Sequence, residues 1–345
     1  MPQLLFSLSL RFGASTAALG HVLRQCGNPE LLHHREALIQ RFQPKGAAHR
    51  LKTLNHWWHW FKHSEWQLIG LHHKAYPTLL ACLSDAPGVL YARGNLDLLN
   101  MPQLAMVGAR HASPDGLMHA ERFAKELSQY GFCITSGLAL GIDAKAHQGA
   151  LNSGQTIAVL PCGPDNIYPS RHQQLAEQIV AKGGLLITEF PPGTPAKRPH
   201  FPLRNRVISG LSLATLVIEA GLPSGSLVTA QHALEQGREV FAMPGAIHNP
   251  LSRGCHQLLK DGAHWLESSQ DVLALLSDFS PLAEAASPNA THAEHPLLKH
   301  FVSGVNHFQT LLERSGLSAQ ELSVILSELE LKGKIQRIAG GYGRC

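Results

Sequence analysis

The feature that most constrains this chain is an alternation that begins near residue 104. Short apolar runs recur as LAMVG, CITSG, TIAVLP, LLITEF, ATLVIEA and EVFAMPG, each followed by a helix-like stretch. Runs this short and this continuously apolar fit strands that are covered on both faces, as the strands of a parallel sheet are. Alternation with helices reads as a series of βαβ units, whose crossovers are right-handed. The expected fold class is therefore α/β, with a doubly wound, mostly parallel open sheet. Ligands of such sheets sit beyond the carboxyl ends of the strands, so the loops after each run are the place to look for a site.

The flanks read differently. The 345 residues allow two or three domains. Residues 1–65 carry short helical pieces broken by Gly and Pro, as in a small bundle. The N-terminal MPQLLFSLSLRFGAS has no basic leader and is interrupted by Arg11, which points to a folded helix and away from an export signal. The stretch YPTLLACLSDAPGVLYARGN leads into a core domain assigned to 66–279, SPLAEAASPNATHAEHP at 280–296 reads as a linker, and 297–345 forms a further compact domain.

Composition excludes several classes. A net charge of +4 is too small for a histone-like polycation but leaves room for a local basic patch. Nothing in the sequence approaches the run of about 18 apolar residues needed to span a membrane. The six cysteines are scattered without a C-x-x-C pair, which favours reduced thiols and a cytoplasmic location over a disulfide frame or a zinc ribbon. Among 22 histidines, with clusters at His33-His34, His56 to His63 and His72-His73, His59 and His63 have the i, i+4 spacing of helical zinc ligands. Two such ligands do not close a tetrahedral site, and no carboxylate accompanies them, so neither metal nor cofactor is expected.

The strand-end loops are rich in anion-binding features. VGARHASPDG offers Gly108 for close approach, Arg110 as a fork and Ser113-Pro114 as a helix start. It is not G-x-G-x-x-G, and the second run ends at Ser136-Gly137 where a dinucleotide fold needs an acidic residue, so NAD binding loses both of its expected features. In SGLALGIDAKAH, Ser136 and Gly137 are expected to present backbone N–H groups, and Asp143, four residues before His147, to cap a helix rather than act as an acid–base partner. Glu189 is expected to pair with an arginine of the following HFPLRNR, and Tyr168 to pack. HFPLRNR gathers Arg198, Arg204, Asn205 and Arg206 around Phe201 just before a helix read as RVISGLS, and Ser224-Gly225-Ser226 opens another helix. Several phosphate cradles beside a stacking ring match single-stranded nucleic acid better than one nucleotide, and no long basic helix is available for a major groove.

Taken in order, VGAR, SGLALGID, TIAVLPCG, ITEFPPG, FPLRNRVISGLS, VIEA, SGSLVTA and ALEQGREVFAMPG closely resemble the DNA-processing protein A family (DprA, also called Smf), from about 104 to 266. The resemblance implies a Rossmann-like core that binds single-stranded DNA without catalysis, protects incoming DNA in natural transformation, helps load the RecA recombinase and works as a homodimer through the core. It carries the family's Gly-Ser-Arg loop onto Gly108, Ala109 and Arg110, and the DNA-contacting segment onto Arg198, Phe201 and the Arg204-Asn205-Arg206 signature. Ala109 departs from the usual Ser and loses a hydroxyl donor. The N-terminal helices resemble a SAM-like domain, and LLERSGLSAQELSVILSELELKGKIQRIAGGYGR resembles a winged-helix module with a Ser318–Glu321 capping box. Its helix carries Glu321, Glu328 and Glu330 with no basic residue before Lys332, which favours protein contact over reading of duplex DNA.

The alternative is a nucleotide-processing enzyme of N-glycosidase type on a related fold. PSGSLVTA lacks the P-G-G-x-G-T-x-x-E arrangement that reading needs. A third reading, a winged-helix regulator of transcription, requires a basic recognition helix.

Overall fold

The computed structural model describes residues 2–13, 16–26, 53–152, 154–276, 279, 297, 300–301, 306–331, 335–338 and 341–344. It divides into two compact units, Met1–Ala286 and Ser287–Cys345.

In the first unit, helices α1 (Pro2–Phe12), α2 (Thr16–Cys26) and α3 (Leu54–Lys62) precede the sheet. Strand β1 (Gln67–Gly70), the single turn α4 (Thr78–Ala81) and β2 (Val89–Gly94) follow. All six apolar runs then form strands: β3 (Gln103–Val107), β4 (Cys133–Ser136), β5 (Thr156–Val159), β6 (Leu185–Thr188), β7 (Ala214–Val217) and β8 (Glu239–Ala242). The intervening helices are α5 (Pro114–Gln129), α6 (Ile142–Ala150), α7 (Gln173–Ala181), α8 (His200–Leu211) and α9 (Gly225–Glu235). α10 (Arg253–Lys260), a two-residue β9 (His264–Trp265) and α11 (Ser269–Leu276) complete the unit.

The nine strands lie in the order β1-β2-β6-β5-β4-β3-β7-β8-β9. From β6 to β9 every neighbour is parallel, whereas β1 and β2 form an antiparallel edge that the sequence reading did not assign to strands. Period-two alternation sorts the side chains. Ala105 and Val107 join one core with Val207, Ile208 and Leu211 of α8 and Ala230 of α9, while Leu104 and Met106 join another with Phe123 of α5 and Ile142 of α6. The crossover after β3 therefore covers one face and the crossover after β7 the other. The sheet is wound in both directions from the β3–β7 pair, and that pair is its switch point.

The N-terminal helices belong to the same unit. Phe6, Leu10, Phe12 and Leu19 share a cluster with Val89 and Tyr91 of β2 and Leu186 of β6, so α1 buries the apolar face expected of a folded helix. The REALIQRF segment, His33-His34 and the 280–296 linker lie outside the described residues.

The second unit packs Leu297, Leu311, Leu322, Leu326, Leu329 and Ile335 between α12 (Phe308–Ser315), α13 (Ala319–Leu331) and a hairpin of β10 (Ile335–Ile338) and β11 (Gly341–Arg344). The capping box is formed: the Ser318 N–H and Oγ donate to Glu321 Oε2 at 2.9 and 2.6 Å, and the Glu321 N–H returns to Ser318 Oγ at 3.3 Å. These bonds hold the Glu321 carboxyl below its usual range. Lys332 and Gly333, read as the helix end, lie outside the described residues.

A candidate anion-binding cleft at the strand switch point

Beyond the carboxyl ends of β3 and β7 lies a cleft of about 330 Å³. Three segments meet around it. The loop after β3 contributes Gly108, Ala109 and Arg110, α8 contributes Phe201, Arg204 and Asn205, and the start of α9 contributes Ser224, Gly225 and Ser226. A smaller pocket adjoins it, lined by Gly137, Leu140, Pro161, Tyr168, Phe201 and Arg204. Ser136, Arg198 and Arg206 line neither.

The loop after β3 is held by its backbone. The Ala109 N–H donates to the Glu219 carbonyl at 2.7 Å, and the Ala109 carbonyl accepts from the Ile142 N–H at 3.2 Å. The Ala109 amide is therefore already used within the protein, and Arg110 is the group this loop offers to the cleft. Gly141 sits against the loop at φ +75°, where a side chain would collide with the Ala109 carbonyl. Glu219, at the end of β7, is buried and accepts from the Ser113 N–H and Oγ at 2.8 and 2.5 Å, which fixes the N-cap of α5. The sequence reading missed Glu219. Its signal was a lone acid at the end of the fifth apolar run.

HFPLRNR is not a loop ahead of a helix. It forms the first two turns of α8, because Pro202 falls where helical N–H groups have no partner and a proline is tolerated. Helical geometry then separates the arginines. Residues two apart differ by about 200° around the axis, so Arg204 and Arg206 leave opposite sides. Arg206 points away from the cleft: it pairs with Glu189 at 2.5 Å and donates to the Asp85 carbonyl at 2.6 Å, with the Asp85 carboxylate at 3.5 Å. Thr16 Oγ1 donates to the same Glu189 oxygen, which ties α2 into the network. Burial pushes the Glu189 carboxyl up, and Arg206 opposes the shift. The expected Glu189–arginine pair is present, and it takes Arg206 out of the cluster expected around Phe201.

Arg204 is equally buried, at 4% exposure, but lies on the cleft side. Its Nη1 donates to the carbonyls of Gly137 and Val159. A Cβ at Gly137 would lie 1.9 Å from that nitrogen and would displace the guanidinium. Burial lowers the Arg204 pKa to about 10, against the pull of Asp143. The Gly137 N–H donates to Asp143 Oδ2 at 3.0 Å, and Ser136 is fully buried with its Oγ on the Met106 carbonyl. The expectation that Ser136 and Gly137 present free N–H groups is thus corrected: the loop is consumed by its own carboxylate. Burial raises the Asp143 pKa, opposed first by Arg204.

His147 has no catalytic freedom. Its Nε2 accepts from the Leu138 N–H at 3.3 Å and its Nδ1 contacts Thr156 Oγ1 at 2.7 Å, and burial drives its pKa down to about 3. It is a neutral core histidine, whereas Asp143, expected to cap α6, lies inside its first turn, and the N-cap Gly141 has no side-chain cap bond.

The aromatic part of the site is larger than the sequence suggested. The Arg110 guanidinium carbon stands 5.1 Å from the centre of the Phe201 ring. Tyr168, expected to pack, is 42% exposed and meets Phe201 edge-on with centroids 5.6 Å apart. Arg198 is exposed in the loop before α8 and has no acidic partner among the described residues. Ser224 caps α9 by accepting from the Ser226 N–H at 3.3 Å, as its position predicts, and Asn205 Nδ2 donates to the Gly225 carbonyl at 3.2 Å. Among the described residues no cluster of three or more candidate metal ligands exists, and His63 Nδ1 lies 2.8 Å from the His59 carbonyl.

Residues 67–277 match the family model of DNA recombination-mediator protein A, and residues 281–341 match the DprA winged helix domain. The chain is 38% identical to protein Smf of Escherichia coli (strain K12), over 99% of this chain and 94% of that one. The X-ray structure of DNA processing protein A from Streptococcus pneumoniae superposes with a TM-score of 0.69 at 35% identity, covering 79% of this chain and 98% of that one. DNA processing protein A from Helicobacter pylori, whose structure is described for its single-stranded DNA binding mode, gives a TM-score of 0.57 at 31% identity, over 63% and 98% of the two chains.

Proposed function

This chain belongs to the family of DNA recombination-mediator protein A, also called DprA or Smf, and from that premise we propose that it binds single-stranded DNA across the switch-point cleft without catalysing a reaction on it. The observation that carries the reading is the convergence of Arg110, Phe201, Tyr168 and the start of α9 at one edge of the sheet. Guanidinium groups and a helix N-terminus take phosphate oxygens. Two aromatic rings beside them take bases, at about 1–3 kcal/mol per stacked base. Gly108 and Ala109 serve as the close-packed floor, Arg198 as an outlying phosphate contact, Ser136 and Gly137 act through the positions of their neighbours, and Arg206 holds the fold. The burial of Asp143 and His147 and their bonds to Gly137, Leu138 and Thr156 support a binding role over the N-glycosidase alternative.

Within the same proposal the protein protects incoming single strands in natural transformation, helps RecA assemble on them and acts as a homodimer through its core. These roles follow from family membership. RecA filament growth on strands coated with single-strand-binding protein, with and without the purified chain, tests the loading role; no stimulation counts against it. Sedimentation of the full chain tests the dimer. For the winged helix, we keep protein contact as the proposed role.

The binding reading is tested by titrating a labelled oligonucleotide, single-stranded or duplex, by fluorescence polarisation. Tighter, salt-dependent binding of the single strand is expected, and equal affinity for both forms removes the stacking model.

A further inference from the structure

We propose that the switch-point cleft selects a nucleotide phosphomonoester, the terminal phosphate of a strand or of a free nucleotide, over an internal phosphodiester. The inference rests on the nucleic-acid reading above and names which part of the polymer the cleft holds. Arg204 supplies the first observation. Its guanidinium is nine-tenths buried and lines the cleft, and its Nη1 is spent on two neutral carbonyls. Its Nε–H is buried with no acceptor, and among the described residues no carboxylate stands at ion-pair distance. Asp143 is the main opposing charge, and its Oδ2 is already taken by the Gly137 N–H. A buried cation with no carboxylate at ion-pair distance is costly unless an anion answers its charge.

The second observation is the helix end facing it. α9 has 11 residues, and its first N–H groups have no intrahelical partner beyond the one that Ser224 caps. Gly225 opens onto space: a Cβ there meets nothing within 4 Å. Arg110 closes a third side. Two guanidiniums and a helix end of about half a charge, less the Asp143 carboxylate that also lines the cleft, still exceed the single charge of a diester. A monoester carries about −1.5 to −2 at neutral pH and meets that excess. The volume agrees, since 330 Å³ is at the low end for a small-ligand site and admits one nucleotide rather than a run.

The test compares an internally labelled oligothymidylate of about 20 nucleotides carrying a 5′-phosphate, a 3′-phosphate or neither, and competition by thymidine monophosphate or thymidine. The full chain should bind one phosphorylated end roughly tenfold more tightly than the unphosphorylated strand, the effect of one charge-assisted contact. Whichever end is preferred identifies the terminus. Competition by the monophosphate but not the nucleoside, with no preference between ends, identifies the free nucleotide as the source. Gly225→Pro is a conservative probe: proline suits the first helical position, Ser224 before it is extended, and the ring removes one N–H. It should weaken the phosphorylated strand more than the unphosphorylated one, so that the end preference disappears. Equal affinity for all three strands together with no competition by the monophosphate overturns the inference and leaves single-strand binding intact. Failure to bind any strand, with the monophosphate still bound, sinks the DNA reading and keeps the site. Binding of neither removes both.

Discussion

Arg204 and Arg206 stand two residues apart in α8, are buried to the same 4% exposure, and do different work. Arg206, on the back of the helix, meets Glu189, Asp85 and through them Thr16 of α2, so its charge is answered from within the protein. Arg204, on the cleft side, is held only by carbonyls and keeps a donor unmet. The difference teaches that an arginine-rich motif on a helix divides by angle: one face binds the fold together, and the other is left for a ligand.

The back face should break most severely. Arg206→Met leaves the Glu189 carboxylate buried without its partner and is expected to cost about 3–5 kcal/mol in chemical unfolding. Adding Glu189→Gln should restore much of that loss; if the double variant is no more stable than the single one, the pair is not what the arginine is for. A smaller effect comes from the buried His147. Because the folded pKa of His147 is about 3 against an ordinary 6.5, the unfolded chain takes up a proton first as pH falls. The stability this group contributes is complete above pH 6.5 and drains away down to about pH 3. At pH 5 that amounts to about 2 kcal/mol relative to pH 7. Unfolding curves of His147→Asn should lack this part of the slope, and an unchanged slope would assign it to other groups.

On the cleft face the changes should appear in binding and leave stability alone. Arg110→Ala is expected to lower single-strand affinity about tenfold and to reduce the salt slope by about 1, with unfolding free energy within about 0.5 kcal/mol of the parent. The mildest of the series is Tyr168→Ala, about 1 kcal/mol of affinity from one stacked base with the salt slope preserved. A fall in slope with Tyr168→Ala would mean that the loop positions a phosphate contact, and would blur the division of labour between rings and guanidiniums.

Much of this was visible in the residues themselves. The six apolar runs became six strands, Ser113 and Ser224 became helix caps, and Glu189 found an arginine. What stayed hidden was angular or long-range. Pro202 disguised the start of α8 as a loop, so the opposite directions of Arg204 and Arg206 could not be read from their spacing. The antiparallel edge of β1 and β2 pairs with β6, about a hundred residues further along, and β9 has only two residues. Tyr168 gave no periodic signal, because a lone aromatic in a loop shows its exposure only once the loop is folded. The capture of the Ala109 and Gly137 amides by Glu219 and Asp143 depended in the same way on which loops meet.

The central claim is that the cleft face of α8 binds and the back face holds the fold. It is tested most directly by polarisation titrations of a single-stranded oligonucleotide at two salt concentrations against the parent chain, Arg110→Ala and Arg206→Met, all under conditions where each is folded. The account predicts about a tenfold loss with a shallower salt dependence for Arg110→Ala, and near-parental affinity and slope for folded Arg206→Met. Parental binding by Arg110→Ala, or a loss confined to folded Arg206→Met, would contradict it.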